Sequence, residues 1–104
     1  MKESDDSPKP GGEERKIRKV LTLKNQLGLH ARAAAALVNI ATKFRSDIQI
    51  QYNDETANCK SIMGILMLSA PFGAEIEIII EGDDALQAMR EIESLIENRF
   101  GEPE

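Results

Sequence analysis

The sequence predicts an α+β open-faced sandwich, a four-stranded, mostly antiparallel sheet with three helices on one face, in the order β-α-β-β-α-β-α. Three observations carry this expectation. Short runs such as Ile48-Gln49-Ile50-Gln51-Tyr52 and Glu75-Ile76-Glu77-Ile78 alternate apolar with polar residues, the pattern of a strand with one buried face. Longer runs such as Ala31 to Phe44 place apolar residues three or four apart, the pattern of a helix with one buried stripe. Asn53-Asp54-Glu55 joins two of the strands by a turn short enough for a hairpin.

Residues 1–15 hold Pro8, Pro10, Gly11 and Gly12 among charged residues without apolar periodicity, and are expected to be a disordered tail. The domain is expected over 16–101, with 102–104 as a C-terminal tail. The first strand spans Lys16 to Lys24, where Leu21 and Leu23 alternate with Thr22 and Lys24. Asn25-Gln26-Leu27-Gly28 forms the loop that delivers His30. From His30 or Ala31 to Phe44 runs the first helix, whose stripe of Ala33, Ala34, Leu37, Ala41 and Phe44 is small enough to lie close to a sheet. Ile48 to Tyr52 is the second strand, and Thr56 to Asn58 the third.

Ser61 is a good N-cap for a second helix that stops before Pro71 and Gly73. Its apolar residues go all the way round, more than a small domain can bury, so Ile62, Met63 and Leu66 are expected to form an exposed docking patch. Glu75 to Glu81 is the fourth strand, with Ile76, Ile78 and Ile80 inward and Gly82 as its end. Asp83 or Asp84 caps the third helix, whose stripe of Leu86, Met89, Ile92, Leu95 and Ile96 leads to Arg99.

The chain has 104 residues, 41% of them hydrophobic, enough for one modest core. Thirteen basic residues against 18 acidic ones give a net charge of −5, which argues against a general nucleic-acid binder. The basic run Arg15, Lys16, Arg18, Lys19 reads as a solvated strand edge. Cys59 is the only cysteine, so no internal disulfide and no zinc cluster is expected. No apolar run is long enough for a membrane span, and the N-terminus lacks the apolar core of a signal peptide, so a cytoplasmic protein is expected; it is also expected to be a monomer.

One stretch carries the chemistry. Gly28-Leu29-His30-Ala31-Arg32 contains the only histidine, at a point where a loop turns into a helix. An imidazole, a fixed cation and the unpaired N–H groups of a helix start suit the handling of a phosphoryl group. His30 is the candidate acceptor, and Arg32 offers a fork of donors to the phosphate oxygens. The competing readings are a surface histidine and an arginine paired with a surface acid. An enzyme with its own turnover is not expected, because the chain has no second histidine, paired-carboxylate motif, Gly-rich phosphate loop or metal-ligand cluster.

Taken together, Gly28-Leu29-His30-Ala31-Arg32 and Asn58-Cys59-Lys60-Ser61-Ile62-Met63-Gly64 resemble the two signature segments of the bacterial histidine-containing phosphocarrier family, HPr, over residues 17–100. The resemblance implies a carrier of the phosphoenolpyruvate-dependent phosphotransferase system that takes phosphate on His30 from enzyme I and passes it to a IIA acceptor. By the same analogy the reacting atom is Nδ1, and no cofactor is needed. In part of the family the serine matching Ser61 is phosphorylated by a dedicated HPr kinase, which would add charge beside the docking patch without unfolding the helix. Asn58 and Lys60 are expected as structural neighbours. The alternative function is that of an HPr-like regulatory protein, of nitrogen-branch or corepressor type, acting through binding.

Two positions depart from the family pattern. Proline normally follows the arginine of the first motif, and here Ala33 does. Asp54 stands where the hairpin usually has glycine.

Overall fold

The computed structural model describes residues 15–104 of the chain, so the expected tail, apart from Arg15, lies outside the described residues. The elements are β1 (Arg15–Thr22), α1 (Ala31–Ala41), β2 (Asp47–Tyr52), β3 (Glu55–Asn58), α2 (Ile62–Leu68), β4 (Glu75–Gly82) and α3 (Ala85–Glu97), followed by a 3₁₀ turn at Arg99–Gly101. Arg15 opens β1 rather than closing a tail. The four strands lie in the order β1-β4-β2-β3, and every neighbouring pair is antiparallel. This is the expected open-faced sandwich.

Alternation sets which face is dry. Ile76, Ile78 and Ile80 of β4 pair with Leu21, Lys19 and Ile17 on one side. On the other side Ile78 and Ile80 pair with Ile50 and Ile48. These three isoleucines are buried, as are Leu21, Ile48 and Ile50. β-branched side chains at such positions suit a pleated, half-buried surface. They meet Ala33, Ala34, Leu37 and Ala41 of α1, and Ala85, Ala88, Met89, Ile92 and Ile96 of α3, in one core. The alanines let each helix approach the sheet closely, and each large side chain buried there contributes about 1.5–3 kcal/mol.

Several boundaries differ from the expected ones, and each has a local cause. α1 stops at Ala41 rather than Phe44, because Lys43 N–H and Phe44 N–H bond three residues back to Ile40 and Ala41 carbonyls, tightening the last turn out of α geometry. Phe44 is nevertheless buried, as its place in the stripe requires. In α3 the buried stripe begins at Ala85 and Ala88, so Leu86 falls to one side of it and is exposed, while Leu95 is half-buried. The Asp84 carboxylate occupies the N-cap position of α3 without capping it. Instead it accepts from Arg45 N–H at 2.9 Å, from Ser46 N–H at 3.0 Å and from the Ser46 hydroxyl, pinning the α1–β2 loop to the β4–α3 turn. The hydrogen bond from the Ser46 hydroxyl, followed by that from Arg45, holds the Asp84 carboxyl below its ordinary range. β3 starts at Glu55, one residue early, since the hairpin turn needs only Asn53 (φ 51°) and Asp54 (φ 67°). Aspartate tolerates that left-handed backbone, so Asp54 serves in place of the glycine.

Candidate functional site

The loop between β1 and α1 is held by its own backbone. Leu23 still pairs with the strand side of the sheet, its N–H donating to Ala74 O at 2.9 Å. Asn25 is fully buried, and its Nδ2 donates to Gly28 O at 2.8 Å. Gly28 takes φ +65°, and a Cβ there would meet Ala70 O at 2.4 Å, so only glycine allows the loop to lie against the chain leaving α2. Leu29 N–H uses that approach to donate to Ala70 O at 3.0 Å. The loop thereby enters α1 in one fixed orientation.

His30 is the N-cap of α1, in extended backbone (φ −82°, ψ −178°), and its side chain is 29% exposed. Its Nδ1 accepts from Arg32 N–H at 3.3 Å. Its Nε2 lies 2.5 Å from Oε2 of Glu102. A backbone N–H can only donate and an ionised carboxylate can only accept, so the ring proton sits on Nε2 and the Nδ1 lone pair points at the helix N-terminus. The unpaired N–H groups and the positive end of the helix dipole are therefore on the side of the free nitrogen. Arg32, in the first turn, is exposed, and its guanidinium makes no ion pair with any described residue.

Glu102 belongs to the stretch expected as a C-terminal tail, yet its side chain is only 9% exposed. Burial would raise its carboxyl, but hydrogen bonds from Asn25 and His30 and the nearby charges of His30 and Arg32 outweigh that effect and hold it below the ordinary range. Residues 102–104 line an open depression of about 590 Å³ together with Gln26, Leu27, His30, Ala31 and Arg32. Nothing in the sequence pattern signalled Glu102 or Asn25, because both act through contacts made only when distant segments meet.

Ser61 is the N-cap of α2, its Oγ accepting from Gly64 N–H at 3.0 Å. Asn58 and Lys60 support that helix start. The Asn58 side chain accepts from Lys60 N–H at 2.8 Å, and Lys60 Nζ reaches Phe44 O at 2.8 Å. On α2, Ile62 and Met63 are exposed at 41% and 68%. Leu66 is half-buried and packs on the core, so the outer face is completed by Met67, 72% exposed, rather than by Leu66. Ile65 and Leu68 hold the buried side of the helix, and of the two residues between them it is Leu66 that packs against the core. Leu27 and Phe72 are also exposed. Cys59 is fully buried, and desolvation pushes its thiol up to about 12, so it is no nucleophile. Among the described residues no cluster could hold a metal ion, and no helix is long and apolar enough to cross a membrane.

Comparisons with known proteins agree on one family. The family model described as "PTS HPr component phosphorylation site" matches residues 17–98. The phosphocarrier protein HPr of Xylella fastidiosa is 45% identical over 82 residues, which cover 79% of this chain and 92% of that protein. The HPr of Neisseria meningitidis serogroup A is 41% identical over 88 residues, 85% of this chain and 99% of the other. Among solved structures, HPr-C-His from Thermoanaerobacter tengcongensis superposes with a TM-score of 0.81 at 40% identity, covering 85% of this chain and 99% of that one. HPr from Bacillus anthracis gives a TM-score of 0.75 at 37% identity, covering 78% and 96%.

Proposed function

The chain belongs to the HPr family of phosphotransferase-system phosphocarriers, and from that premise we propose that it accepts a phosphoryl group on Nδ1 of His30 from enzyme I and passes it to a IIA acceptor. Family members are carriers rather than catalysts. The observation that carries the assignment is the orientation of His30, whose unprotonated Nδ1 is aimed at the start of α1.

A phosphoryl group arriving at Nδ1 meets the helix N-terminus directly. Backbone N–H groups that have no intrahelical partner can donate to its oxygens, and the helix dipole favours its negative charge. These donors are fixed before the group arrives, so little reorganisation accompanies the transfer. The Arg32 guanidinium, one residue into the first turn, supplies further donors from the solvent side. Ile62, Met63 and Met67 provide an apolar face for donor and acceptor proteins. That face is joined to the His30 loop through the Leu29–Ala70 hydrogen bond, so docking on α2 brings a partner to the histidine. In this reading the protein works as a cytoplasmic monomer serving sugar uptake.

Ser61 adds a point of control. Its hydroxyl caps α2 and is half-buried at the edge of the apolar face. A phosphate placed there by HPr kinase sits at a helix N-terminus, where it is tolerated, and puts charge beside the surface that partners need.

Incubation with phosphoenolpyruvate and enzyme I tests the carrier role. An acid-labile, alkali-stable phosphate is expected in the wild-type protein and none in His30→Ala; equal incorporation in that variant overturns the assignment. For Ser61, incubation with ATP and HPr kinase is expected to give an acid-stable phosphate that Ser61→Ala abolishes. An unlabelled wild-type protein leaves Ser61 as a helix cap and nothing more.

A further inference from the structure

Taking His30 as the acceptor, we propose that Glu102 is a positioning residue that selects Nδ1 as the reacting nitrogen and keeps the ring proton on Nε2 throughout the transfer. The two nitrogens face groups of opposite hydrogen-bonding character. Arg32 N–H can only donate to Nδ1, and the Glu102 carboxylate can only accept from Nε2. One tautomer satisfies both contacts, and the other satisfies neither.

The carboxylate is itself held in place. Its Oε1 accepts from Nδ2 of buried Asn25 at 3.0 Å, while the same amide donates to Gly28 O at 2.8 Å. With both acceptors on one side, the Asn25 amide has a single orientation, and it keeps it although its Oδ1 is buried without a partner. The segment that carries Glu102 is tied down on either side of it. Phe100 is buried in the core, Glu102 N–H donates to Arg99 O at 2.9 Å, and Gln26 N–H donates to Glu104 O at 3.1 Å. Residues 102–104 thus act as a strap across the first-motif loop rather than as a free end.

The chemistry uses this arrangement in both directions. In the forward step the Nδ1 electron pair forms the bond to phosphorus while the bond between phosphorus and the donor protein breaks, its pair leaving with the donor. The Nε2 proton stays where it is, and the positive charge that develops on the ring lies beside the Glu102 carboxylate. In the onward step the P–Nδ1 bond breaks and its pair returns to Nδ1, so that the leaving group is neutral imidazole already carrying its proton. No proton has to move in either step.

Because His30 is the only histidine, every imidazole signal in a ¹⁵N NMR spectrum reports on it. In the full-length wild-type protein above pH 8 the Nε2–H tautomer is expected to dominate. Glu102→Ala is expected to raise the Nδ1–H population several-fold and to slow phosphoryl acceptance from phosphorylated enzyme I about tenfold, the low end of what is lost when the partner that holds a metal-bound histidine by its other ring nitrogen is removed. Glu102→Gln has only one acceptor oxygen. If Asn25 retains it, the amide NH₂ faces the ring and the tautomer inverts. A purely structural role would lower the urea midpoint without changing the tautomer ratio. An unchanged ratio in both variants overturns the proposal. A wild-type protein that takes no phosphate overturns the carrier reading itself, whatever its tautomer.

Discussion

Gly28→Ala is the substitution that most directly tests how the site is built. At φ +65° an alanine pays about 1 kcal/mol for left-handed backbone. Its Cβ would stand 2.4 Å from Ala70 O and 2.9 Å from Pro71 Cα, both backbone atoms that no side-chain rotation can move away. Ordinary contact lies near 3.5 Å, so the loop must retreat by about 1 Å. That retreat breaks the 3.0 Å bond from Leu29 N–H to Ala70 O, worth about 1 kcal/mol net. Residual strain of about 1–2 kcal/mol remains, as in other overpacked sites. The sum is about 3–4 kcal/mol, a large share of the stability of a small domain. Urea and thermal unfolding measure it directly. With each 1 kcal/mol worth about 4–8 °C in a domain of this size, Tm is expected to fall by at least about 12 °C. Phosphoryl acceptance by the fraction still folded is expected to fall as well, because His30 is displaced from the α2 face. A loss under about 1 kcal/mol would refute the reasoning, since it would mean that the loop and the α2 exit are not locked together.

Three further outcomes can be measured. Asp84→Ala is expected to cost about 2 kcal/mol at pH 7, the worth of hydrogen bonds to a charged acceptor, by urea unfolding. Since the folded carboxyl lies below its ordinary 3.8, its contribution is full above pH 3.8 and is lost as pH falls through the folded value, so the two proteins converge only in acid. Met63→Asp and Met67→Asp alter exposed positions, and are expected to change stability by no more than about 0.5 kcal/mol while raising the KM for phosphorylated enzyme I; an unchanged KM removes the docking role of α2. Ala33→Pro restores the residue usual in the family at the third position of α1, where the N–H has no intrahelical partner to lose. It is expected to raise stability by about 0.5 kcal/mol in urea, whereas a loss would show that this fully buried site has no room for the ring.

Periodicity made the architecture legible because each element meets the core through a regular face. Ile76, Ile78 and Ile80 could face only one way once their alternation was recognised, and Ala33, Ala34, Leu37 and Ala41 could form only one stripe. Periodicity does not settle the exposure of a hydrophobic residue that sits one position off a stripe. Leu86, expected in the buried stripe of α3, lies beside the stripe that Ala85 and Ala88 set and is exposed, whereas Leu66, expected in the exposed patch of α2, packs partly on the core between buried Ile65 and Leu68. Helix ends escaped for a different reason. Thr42 bonds back to Val38 O at 2.9 Å through its hydroxyl, a local competition that apolar spacing does not record.

The functional site divides along the same line. His30 and Arg32 are two residues apart, and their helix start is a local event, so the motif exposes them. Glu102 lies 72 residues from His30 and is presented only after β1, α1 and α3 have packed and Phe100 has been buried. The proton position on the ring is therefore a property of the completed fold rather than of the motif. Local opening of the strap at residues 102–104 would free Nε2 without disturbing the sheet, since those residues belong to no strand or helix. If Glu102 selects the reacting nitrogen as proposed, that choice is made 72 residues along the chain from the histidine that carries it.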